Sequence, residues 1–336
     1  MKKKNLIILN NEKVFKEKNN FFCDNLDLKV VPEELNKFFK VKYLVRSSNK
    51  KGGQQINLND IQTASNIFKF IYNLLKTFKI NSEYLIISIT PYTFIAYLFL
   101  LLFNKKVYLY LWSDGHEEWR YLLGSWSVWI FHLMYVVCTY RSEIIVCNKR
   151  LTKKKSHLIS ISRLDESWFQ NQKKPSLDQV NYLYVGRVSK EKGIFNFIDM
   201  FNKIPIKGKL SIVGYSKSFK FKNPNINLLG YISKPESLMH IYDNHNITIL
   251  PSYTEGHPYV IDESLARKRP VIIFEDIKYV INKKKGIFVC ERKLDSLIRT
   301  TNYIIQNYKI ILNEMDKNNL PTKKSMIKQI SDIIKI

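Results

Sequence analysis

The sequence predicts an α/β protein built from two doubly wound, Rossmann-like domains that face each other across a cleft. Its 336 residues suit two domains of roughly 150 residues each. A content of 45% hydrophobic and 13% aromatic residues excludes a disordered or fibrous chain. Strand-like apolar runs alternate with helical patterns almost throughout, which is typical of parallel sheets covered by helices.

The N-terminal domain is predicted to cover residues 1–172. Short runs rich in β-branched and aromatic residues predict its strands, and longer apolar or amphipathic runs predict its helices. The strands are expected at Leu6–Leu9, Tyr43–Val45, Leu85–Ile89, Val107–Leu111 and Ile144–Cys147, and the helices at Asp60–Lys79, Tyr92–Phe103 and Trp126–Thr139.

A polar, proline-containing hinge is predicted at residues 173–180, followed by the C-terminal domain at 181–336. The last helix is a candidate to pack back on the N-terminal domain, because one of its faces is apolar. The strands are expected at Tyr182–Val185, Leu210–Val213, Ile226–Leu229, Ile247–Leu250 and Val271–Phe274, and the helices at Ile194–Lys203, Pro235–Asp243, Tyr259–Arg267 and Ser325–Ile336.

The net charge of +25 calls for an anionic partner. The excess is spread over both halves of the chain, and no zinc-finger or RNA-binding pattern occurs, so an anionic membrane surface or phosphate chemistry is favoured over nucleic acid. The four cysteines show no C-x-x-C spacing, which favours a reducing cytoplasm over a disulfide framework.

One uncharged stretch, Tyr121–Tyr140, has a length that could span a membrane. It lies between Arg120 and Arg141. A buried helix has the same pattern. So does a helix lying in the membrane interface, with Trp126 and Trp129 at the depth of the lipid headgroups.

The first motif with functional chemistry follows the strand Tyr182–Val185. Gly186, Arg187, Lys192 and Gly193 occupy the loop between that strand and the next helix. Backbone N–H groups and the helix dipole favour an anion there. Arg grips phosphate oxygens and Lys adds a point charge. The loop predicts a diphosphate-binding site, although two solvated cations would produce the same pattern.

The second motif follows the strand Ile247–Leu250. Glu255, Gly256 and His257 form a loop, Pro258 and Tyr259 begin a helix, and Glu263 lies in its second turn. Helical side chains point back toward the N-terminus, so Glu263 is expected near Glu255. Carboxylates beside backbone N–H groups suit a polyhydroxylated ligand.

These motifs resemble the retaining glycosyltransferases of family 4, which have the GT-B fold, over Val185 to Ile273. The match follows the family order: Gly-Arg-x-x-x-x-Lys-Gly at 186–193, Ile212-Val-Gly, Leu229-Gly-Tyr, Leu250-Pro-Ser, glutamates at 255 and 263, and Pro270-Val-Ile. The N-terminal half matches loosely, through its strand order and His116.

The resemblance implies that Arg187 and Lys192 hold the diphosphate of a UDP- or GDP-sugar donor and that Glu263 binds the ribose. Glu255 and the loop Gly256–Tyr259 are expected near the transferred sugar, with Glu255 catalytic. It also implies retention at the anomeric carbon with no metal and no cofactor. No two of the 13 aspartates form a D-x-D motif.

Asp114 and His116 are the candidates for the acceptor side, because they follow the strand Val107–Leu111 and can exchange a proton with an acceptor hydroxyl. The chain also departs from the family. Lys268 stands where the family usually has a glycine before Pro-Val-Ile, and Arg163 stands where a glycine is common. The glycine-rich loop that follows the first strand in the family is missing.

The expected function is therefore that of a bacterial hexosyltransferase in capsule or lipopolysaccharide synthesis. Its acceptor is expected to be a glycan or a lipid-linked intermediate, and its location cytoplasmic, peripheral on the inner face of the membrane. The alternatives are a GT-B nucleotide-sugar epimerase, which needs no acceptor, and a catalytically inactive scaffold on the membrane surface.

Overall fold

The computed structural model describes residues 3–24, 26–79, 81–174, 177–204, 208–214, 221–232 and 234–335. They form two compact units. The N-terminal unit contains Met1–Ile161 and Lys324–Ile336, and the C-terminal unit contains Ser162–Lys323. Residues 175 and 176 of the predicted hinge and Ile336 of the predicted last helix lie outside the described residues.

The N-terminal unit is built on a sheet whose main part is parallel, in the order β5-β3-β1-β6-β7-β8-β9. The far end of β1 pairs antiparallel with β2, which pairs with β4. Every residue of β7 is buried, as expected for a strand covered on both faces. The described strands are β1 (Asn5–Glu17), β2 (Asn20–Cys23), β3 (Lys40–Ser47), β4 (Gln54–Ile56), β5 (Ile61–Ala64), β6 (Ser82–Ile87), β7 (Val107–Leu111), β8 (Glu143–Val146) and β9 (His157–Leu158).

Five helices described in the first part of the chain cover this sheet: α1 (Leu26–Leu35), α2 (Ile67–Thr77), α3 (Pro91–Leu102), α4 (Gly115–Leu123) and α5 (Ser127–Cys138). The start of α3 illustrates how the sequence sets a boundary. Thr90 and Thr93 form a reciprocal capping box, and Pro91 takes the first helical position, where no N–H is needed.

The C-terminal unit holds a parallel sheet in the order β12-β11-β10-β13-β14-β15, which is the strand order of a Rossmann fold. Its described strands are β10 (Val180–Val185), β11 (Gly208–Val213), β12 (Ile226–Gly230), β13 (Ile247–Leu250), β14 (Val271–Phe274) and β15 (Ile287–Cys290). Its described helices are α6 (Ile194–Phe201), α7 (Pro235–Asp243), α8 (Tyr259–Ala266), α9 (Leu294–Gln306) and α10 (Tyr308–Met315). The final helix, α11 (Lys323–Lys335), joins the N-terminal unit.

Two predicted segments differ from the structure. The single helix expected at Asp60–Lys79 is a strand, β5, followed by α2, because Ile61–Ala64 pairs with β3 and Asn66 caps the helix start. The stretch Tyr121–Tyr140 divides at Gly124, which has φ +93° and ends α4. No helix in the described ranges is long and apolar enough to cross a membrane.

The units divide after Ile161 rather than at the predicted hinge, and two buried arginines explain the difference. Arg267 binds Asp243 through two nitrogens and donates to the carbonyl of Gln170 at 2.7 Å. Arg269 donates to the carbonyl of Lys173 at 2.7 Å. These bonds hold Gln170 and Lys173, the latter the first residue of the predicted hinge, on the C-terminal unit.

Candidate functional site

The candidate site lies in the C-terminal unit, at the carboxyl ends of β10 and β13. These strands are neighbours in the sheet, although β11 and β12 separate them in sequence. The strand order therefore reverses between them, and such a switch point is where open α/β sheets bind ligands. The loops after β10 and β13 carry the two motifs identified in the sequence.

Gly193 allows these two loops to touch. It has φ +64°, in the left-handed region, and a Cβ built on it would lie 2.0 Å from the carbonyl oxygen of Pro251. A larger residue is therefore excluded both by conformation and by space. The backbone N–H of Tyr253 donates to the carbonyl of Glu191 at 3.0 Å and joins the same two loops.

The contact brings Lys192 and Glu255 together. Lys192 Nζ lies 2.7 Å from Glu255 Oε1, and the two side chains are 19% and 9% exposed. Ser252 Oγ donates to the same carboxylate oxygen at 2.6 Å. Tyr279 holds the backbone of Glu255, since its hydroxyl accepts from the N–H at 3.0 Å and donates to the carbonyl at 2.5 Å. The carboxylate is thus fixed in place beside a cation.

Arg187 supplies a second positive charge at this edge of the sheet. It follows Gly186, whose N–H donates to the carbonyl of Val213 at 3.0 Å. The Arg187 side chain is 79% exposed and its guanidinium lies 3.7 Å from Glu191. Tyr184 donates to the Arg187 carbonyl at 2.5 Å. The backbone is therefore anchored while the guanidinium extends into solvent, where it can reach an anion.

The loop after β13 continues through Gly256, His257 and Pro258 into α8. His257 Nε2 lies 3.3 Å from Asp262 Oδ2, and Lys284 pairs with the other oxygen of Asp262. Burial by itself raises the pKa of Asp262, but His257 and Lys284 together outweigh burial and lower it. His257 is therefore held against the first turn of α8.

Tyr259 begins α8, and the guanidinium of Arg163 lies 3.9 Å from the centre of its ring. Arg163 is one of the departures from the family. In this unit it acts as a cation stacked on an aromatic face, and this contact fixes the ring at the start of the helix.

Glu263 is 7% exposed and accepts a hydrogen bond from the hydroxyl of Tyr242 at 3.0 Å. Burial, with a further effect of Glu263, raises the pKa of Tyr242 well above 10. The hydroxyl therefore keeps its proton and donates a hydrogen bond to the carboxylate, which fixes the orientation of Glu263.

Arg292 is the main residue that sequence reasoning missed. Its guanidinium lies 3.9 Å from the ring centre of Tyr253 and 4.6 Å from that of Phe274. It donates to the carbonyl of Ser252 at 2.9 Å and to Asp276 at 2.7 Å. Arg292 thus supports the loop that carries Glu255. No motif marks it, because it follows β15, far from that loop in sequence.

The structure also explains why a glycine is usual where this chain has Lys268. Lys268 has φ +57° and follows the last residues of α8. The N–H of Arg269 donates to the carbonyl of Ser264 at 2.8 Å, and that of Lys268 to Leu265 at 3.0 Å. This pair of bonds is a Schellman motif, whose left-handed position favours glycine.

The acceptor-side candidates lie in the N-terminal unit. Asp114 caps α4, since its carboxylate accepts from the N–H groups of His116 and Glu117 at 3.1 and 3.3 Å. His116 Nε2 lies 3.2 Å from Nδ1 of His132. Partial burial lowers the pKa of His116 more than Asp114 raises it.

The structure thus gives Asp114 a capping role, and the involvement of both Asp114 and His116 in the reaction stays a prediction. His132 is a partner that sequence reasoning missed. No group of three His, Cys, Asp or Glu side chains among the residues that the structure describes could hold a metal ion. Metal independence is likewise a prediction.

The C-terminal unit matches a known family. Residues 165–320 match the model of the family described as glycosyl transferases, group 1. The capsular polysaccharide biosynthesis glycosyltransferase CapM of Staphylococcus aureus is 34% identical over 122 residues, which cover 32% of this chain and 31% of CapM. The chain therefore spans about a third of the length of the curated relatives it matches.

Solved structures resemble the chain over nearly its whole length. Anabaena HepE, crystallised in complex with UDP and glucose, has a TM-score of 0.71 and 11% identity, over 98% of this chain and 99% of HepE. The lipopolysaccharide outer core galactosyltransferase WaaB, in its apo form, has a TM-score of 0.69 and 12% identity, over 99% of this chain and 100% of WaaB. At these identities the likeness shows the fold, and the expected GT-B fold is confirmed.

Proposed function

We propose that the protein moves a hexosyl group from a UDP- or GDP-sugar to a glycan or lipid-linked acceptor. The match of residues 165–320 to the model of the glycosyl transferases, group 1, supports this reaction. The product belongs to a bacterial cell-envelope polysaccharide. The names of CapM and WaaB, which refer to capsule and lipopolysaccharide, support this class of product. The reaction takes place at the inner face of the cytoplasmic membrane.

The pairing of Lys192 with Glu255 at the switch point carries this proposal. Gly193 and Pro251 hold the two loops in contact, so that a cation and a carboxylate are fixed 2.7 Å apart at the edge where a ligand is expected. The exposed guanidinium of Arg187 follows the same strand as Lys192. Two cations next to one carboxylate suit a ligand with a diphosphate at one end and hydroxyl groups at the other.

The proposed chemistry breaks the bond between the anomeric carbon and the diphosphate oxygen, and the electron pair leaves with the diphosphate. Arg187 and Lys192 offset the charge that develops there, which is the largest electrostatic demand of the step. The acceptor oxygen bonds to the anomeric carbon with retention and gives its proton to a phosphate oxygen of the departing diphosphate. This step uses no metal and no cofactor.

Other residues of the unit bind the remaining parts of the donor. Glu263, oriented by Tyr242, accepts from the ribose hydroxyl groups. Glu255 and the backbone of Gly256–Tyr259 contact the transferred sugar. HepE was crystallised with UDP and glucose, which favours a UDP-sugar, and a GDP-sugar is the second choice. Asp114 and His116 are the proposed acceptor-side residues.

The test is an assay of donor hydrolysis and of transfer with UDP- and GDP-sugars. Glu255→Ala and Arg187→Ala should each lower turnover by roughly a hundredfold, as for the loss of an electrostatic contact to the transition state. Lys190→Ala is the matched control, because Lys190 is an exposed cation of the same loop and has no role in the proposal. A chelator should leave the activity unchanged.

Three outcomes would contradict the proposal. Equal turnover in wild type, Glu255→Ala and Arg187→Ala would exclude the assigned site. Conversion of the donor sugar to its epimer without an acceptor would identify an epimerase. The absence of thermal stabilisation by both UDP and GDP would identify a scaffold that binds no nucleotide.

A further inference from the structure

The end of α4 and the loop that follows expose apolar side chains that a protein in water would normally bury. Leu122, Leu123 and Trp126 are 79%, 50% and 62% exposed. They surround Gly124, whose left-handed conformation ends α4 and begins the turn into α5. We call Leu122–Trp126 the apolar tip.

Helix α5 continues the apolar surface. Trp129, Leu133 and Val136 are 61%, 55% and 44% exposed. Their spacing of four and three residues places them on one face of the helix. We call them the apolar stripe. Phe131, Met134 and Cys138, on the other side, are buried in the core of the unit, so α5 is apolar on both sides.

This arrangement marks an interaction surface. Single exposed apolar side chains are common and need no explanation. A tip and a helical stripe that adjoin each other, with two tryptophans between them, form a patch of the kind that marks a protein or membrane contact. The amphipathic rings of tryptophan are enriched at the boundary between lipid headgroups and acyl chains.

A basic segment lies beside α5. Lys149, Arg150 and Lys153–Lys155 are exposed, and residues 149–155 contain no acidic residue. The hydroxyl of Tyr135 on α5 donates to Thr152 Oγ1 at 2.6 Å, which ties this segment to the helix. A dense positive charge is therefore held against α5, the helix that carries the apolar stripe.

We propose that the apolar tip, the apolar stripe and the basic segment 149–155 form the face through which this protein docks on an anionic lipid bilayer. Helix α5 has 12 residues and is about 18 Å long at 1.5 Å per residue. This is short of the roughly 30 Å hydrocarbon core. The helix therefore lies in the interface, with its tryptophans among the headgroups and the lysines on lipid phosphates.

The charge decides for a bilayer over a protein partner. Five cations within seven residues match the continuous negative potential of an anionic leaflet, and the net charge of +25 acts in the same direction. The docking face rests on the proposed function for its membrane location, but it includes none of the proposed catalytic or donor-binding residues. Failure of the docking test would remove the membrane location and leave the transfer reaction standing, whereas loss of transfer activity alone would leave the docking face standing.

The experiment is flotation of the full-length protein with vesicles of phosphatidylcholine mixed with phosphatidylglycerol, and with vesicles of phosphatidylcholine alone. The combined variant Trp126→Gln, Trp129→Gln, Leu133→Gln should bind both kinds of vesicle at least about tenfold more weakly. The combined variant Lys153→Gln, Lys154→Gln, Lys155→Gln should lose about fivefold per lysine on the anionic vesicles. Its binding to the neutral vesicles should not change.

Matched controls use exposed residues elsewhere in the N-terminal unit. Phe68→Gln with Tyr72→Gln removes two exposed aromatics from α2, and Lys13→Gln, Lys16→Gln, Lys18→Gln removes three exposed lysines from β1 and the turn after it. Both controls should float like wild type. Wild type that does not float, or controls that lose as much binding as the test variants, would overturn the proposal. So would a dimer in size-exclusion chromatography that the Trp126, Trp129 and Leu133 variant abolishes, because the face would then be a protein interface.

Discussion

At the scale of single residues, Glu255 is held in place by Lys192, Ser252 and Tyr279. Glu255 and Lys192 stand out because each follows a predicted strand. Ser252 and Tyr279 support their 2.7 Å pairing. Ser252 belongs to the Leu250-Pro-Ser motif, whereas Tyr279, in a short 3-10 helix after β14, belongs to no motif. The side chains with a proposed role were therefore easier to predict than the residues that position them.

His245 gives a prediction about pH at this scale. Its ring is buried, and its Nδ1 donates to the carbonyl of Ile241 at 2.6 Å. Burial lowers the pKa of His245 from its usual value near 6.5. The unfolded chain therefore binds more protons than the folded chain as the pH falls through about 6.5, and the free energy of unfolding decreases.

The measurement is urea unfolding at several pH values from about 7 to about 5.5, a range that spans the usual pKa of histidine near 6.5. Wild type should lose stability over this range more steeply than His245→Gln, whatever the stability of the variant at neutral pH. His240→Gln, at an exposed position of α7, should keep the wild-type slope. Parallel curves for wild type and His245→Gln would contradict the prediction.

At the scale of helices and strands, the buried parallel strands were the most predictable elements. Val107–Leu111, Ile247–Leu250 and Val271–Phe274 are confirmed with the predicted bounds, because a strand buried on both faces is a short, continuous apolar run. Peripheral elements were missed. β2 has four residues and β4 has three, of which two are glutamines, so each is too short to show a clear strand pattern. α9 was also missed, although its buried residues Leu297, Thr301 and Ile304 lie on one face of the helix.

Two features require a glycine at position 193: the left-handed backbone conformation and the close approach of Pro251. Three glycine-to-alanine variants separate their effects. Gly53→Ala meets no atom within 4 Å, Gly230→Ala has open space but φ +75°, and Gly193→Ala has φ +64° and the clash with Pro251. The free energy of unfolding should fall by less than about 0.5 kcal/mol in Gly53→Ala and by about 1–2 kcal/mol in Gly230→Ala. In Gly193→Ala it should fall by more than about 3 kcal/mol.

Gly193→Ala should also lose thermal stabilisation by UDP, because the contact between the loops after β10 and β13 would open. Thermal unfolding with and without UDP measures both effects. Equal costs for Gly193→Ala and Gly230→Ala would show that only the backbone conformation matters at Gly193, and not the approach of the two loops.

At the scale of the whole molecule, the division of the chain depends on contacts between residues far apart in sequence. Helix α11 belongs to the N-terminal unit, where Gln329 accepts from the N–H of Ser160 at 2.8 Å and the Ile334 carbonyl accepts from Tyr108 at 3.2 Å. Ile330 is fully buried in the same helix. The end of the chain therefore completes the core of its beginning.

Ile330→Ala should accordingly destabilise the N-terminal unit by about 2–5 kcal/mol, the usual cost of such a cavity. Hydrogen exchange should show faster exchange in the N-terminal unit, while the C-terminal unit stays protected. Lys328→Ala, at an exposed position of the same helix, should change the free energy of unfolding by less than about 0.5 kcal/mol. Faster exchange confined to Ser162–Lys323 would contradict the assignment of α11.

The sequence alone determined the α/β class, the two domains and the two motifs after β10 and β13, because each depends on local periodicity or on residue spacing. Only the tertiary structure decided the domain boundary, the exposure of the apolar tip and stripe, and the support of Glu255 by Tyr279 and Arg292. These features depend on contacts between distant segments, such as Arg269 with Lys173. The net charge of +25 favoured an anionic surface, and the fold placed a basic segment beside an exposed apolar helix.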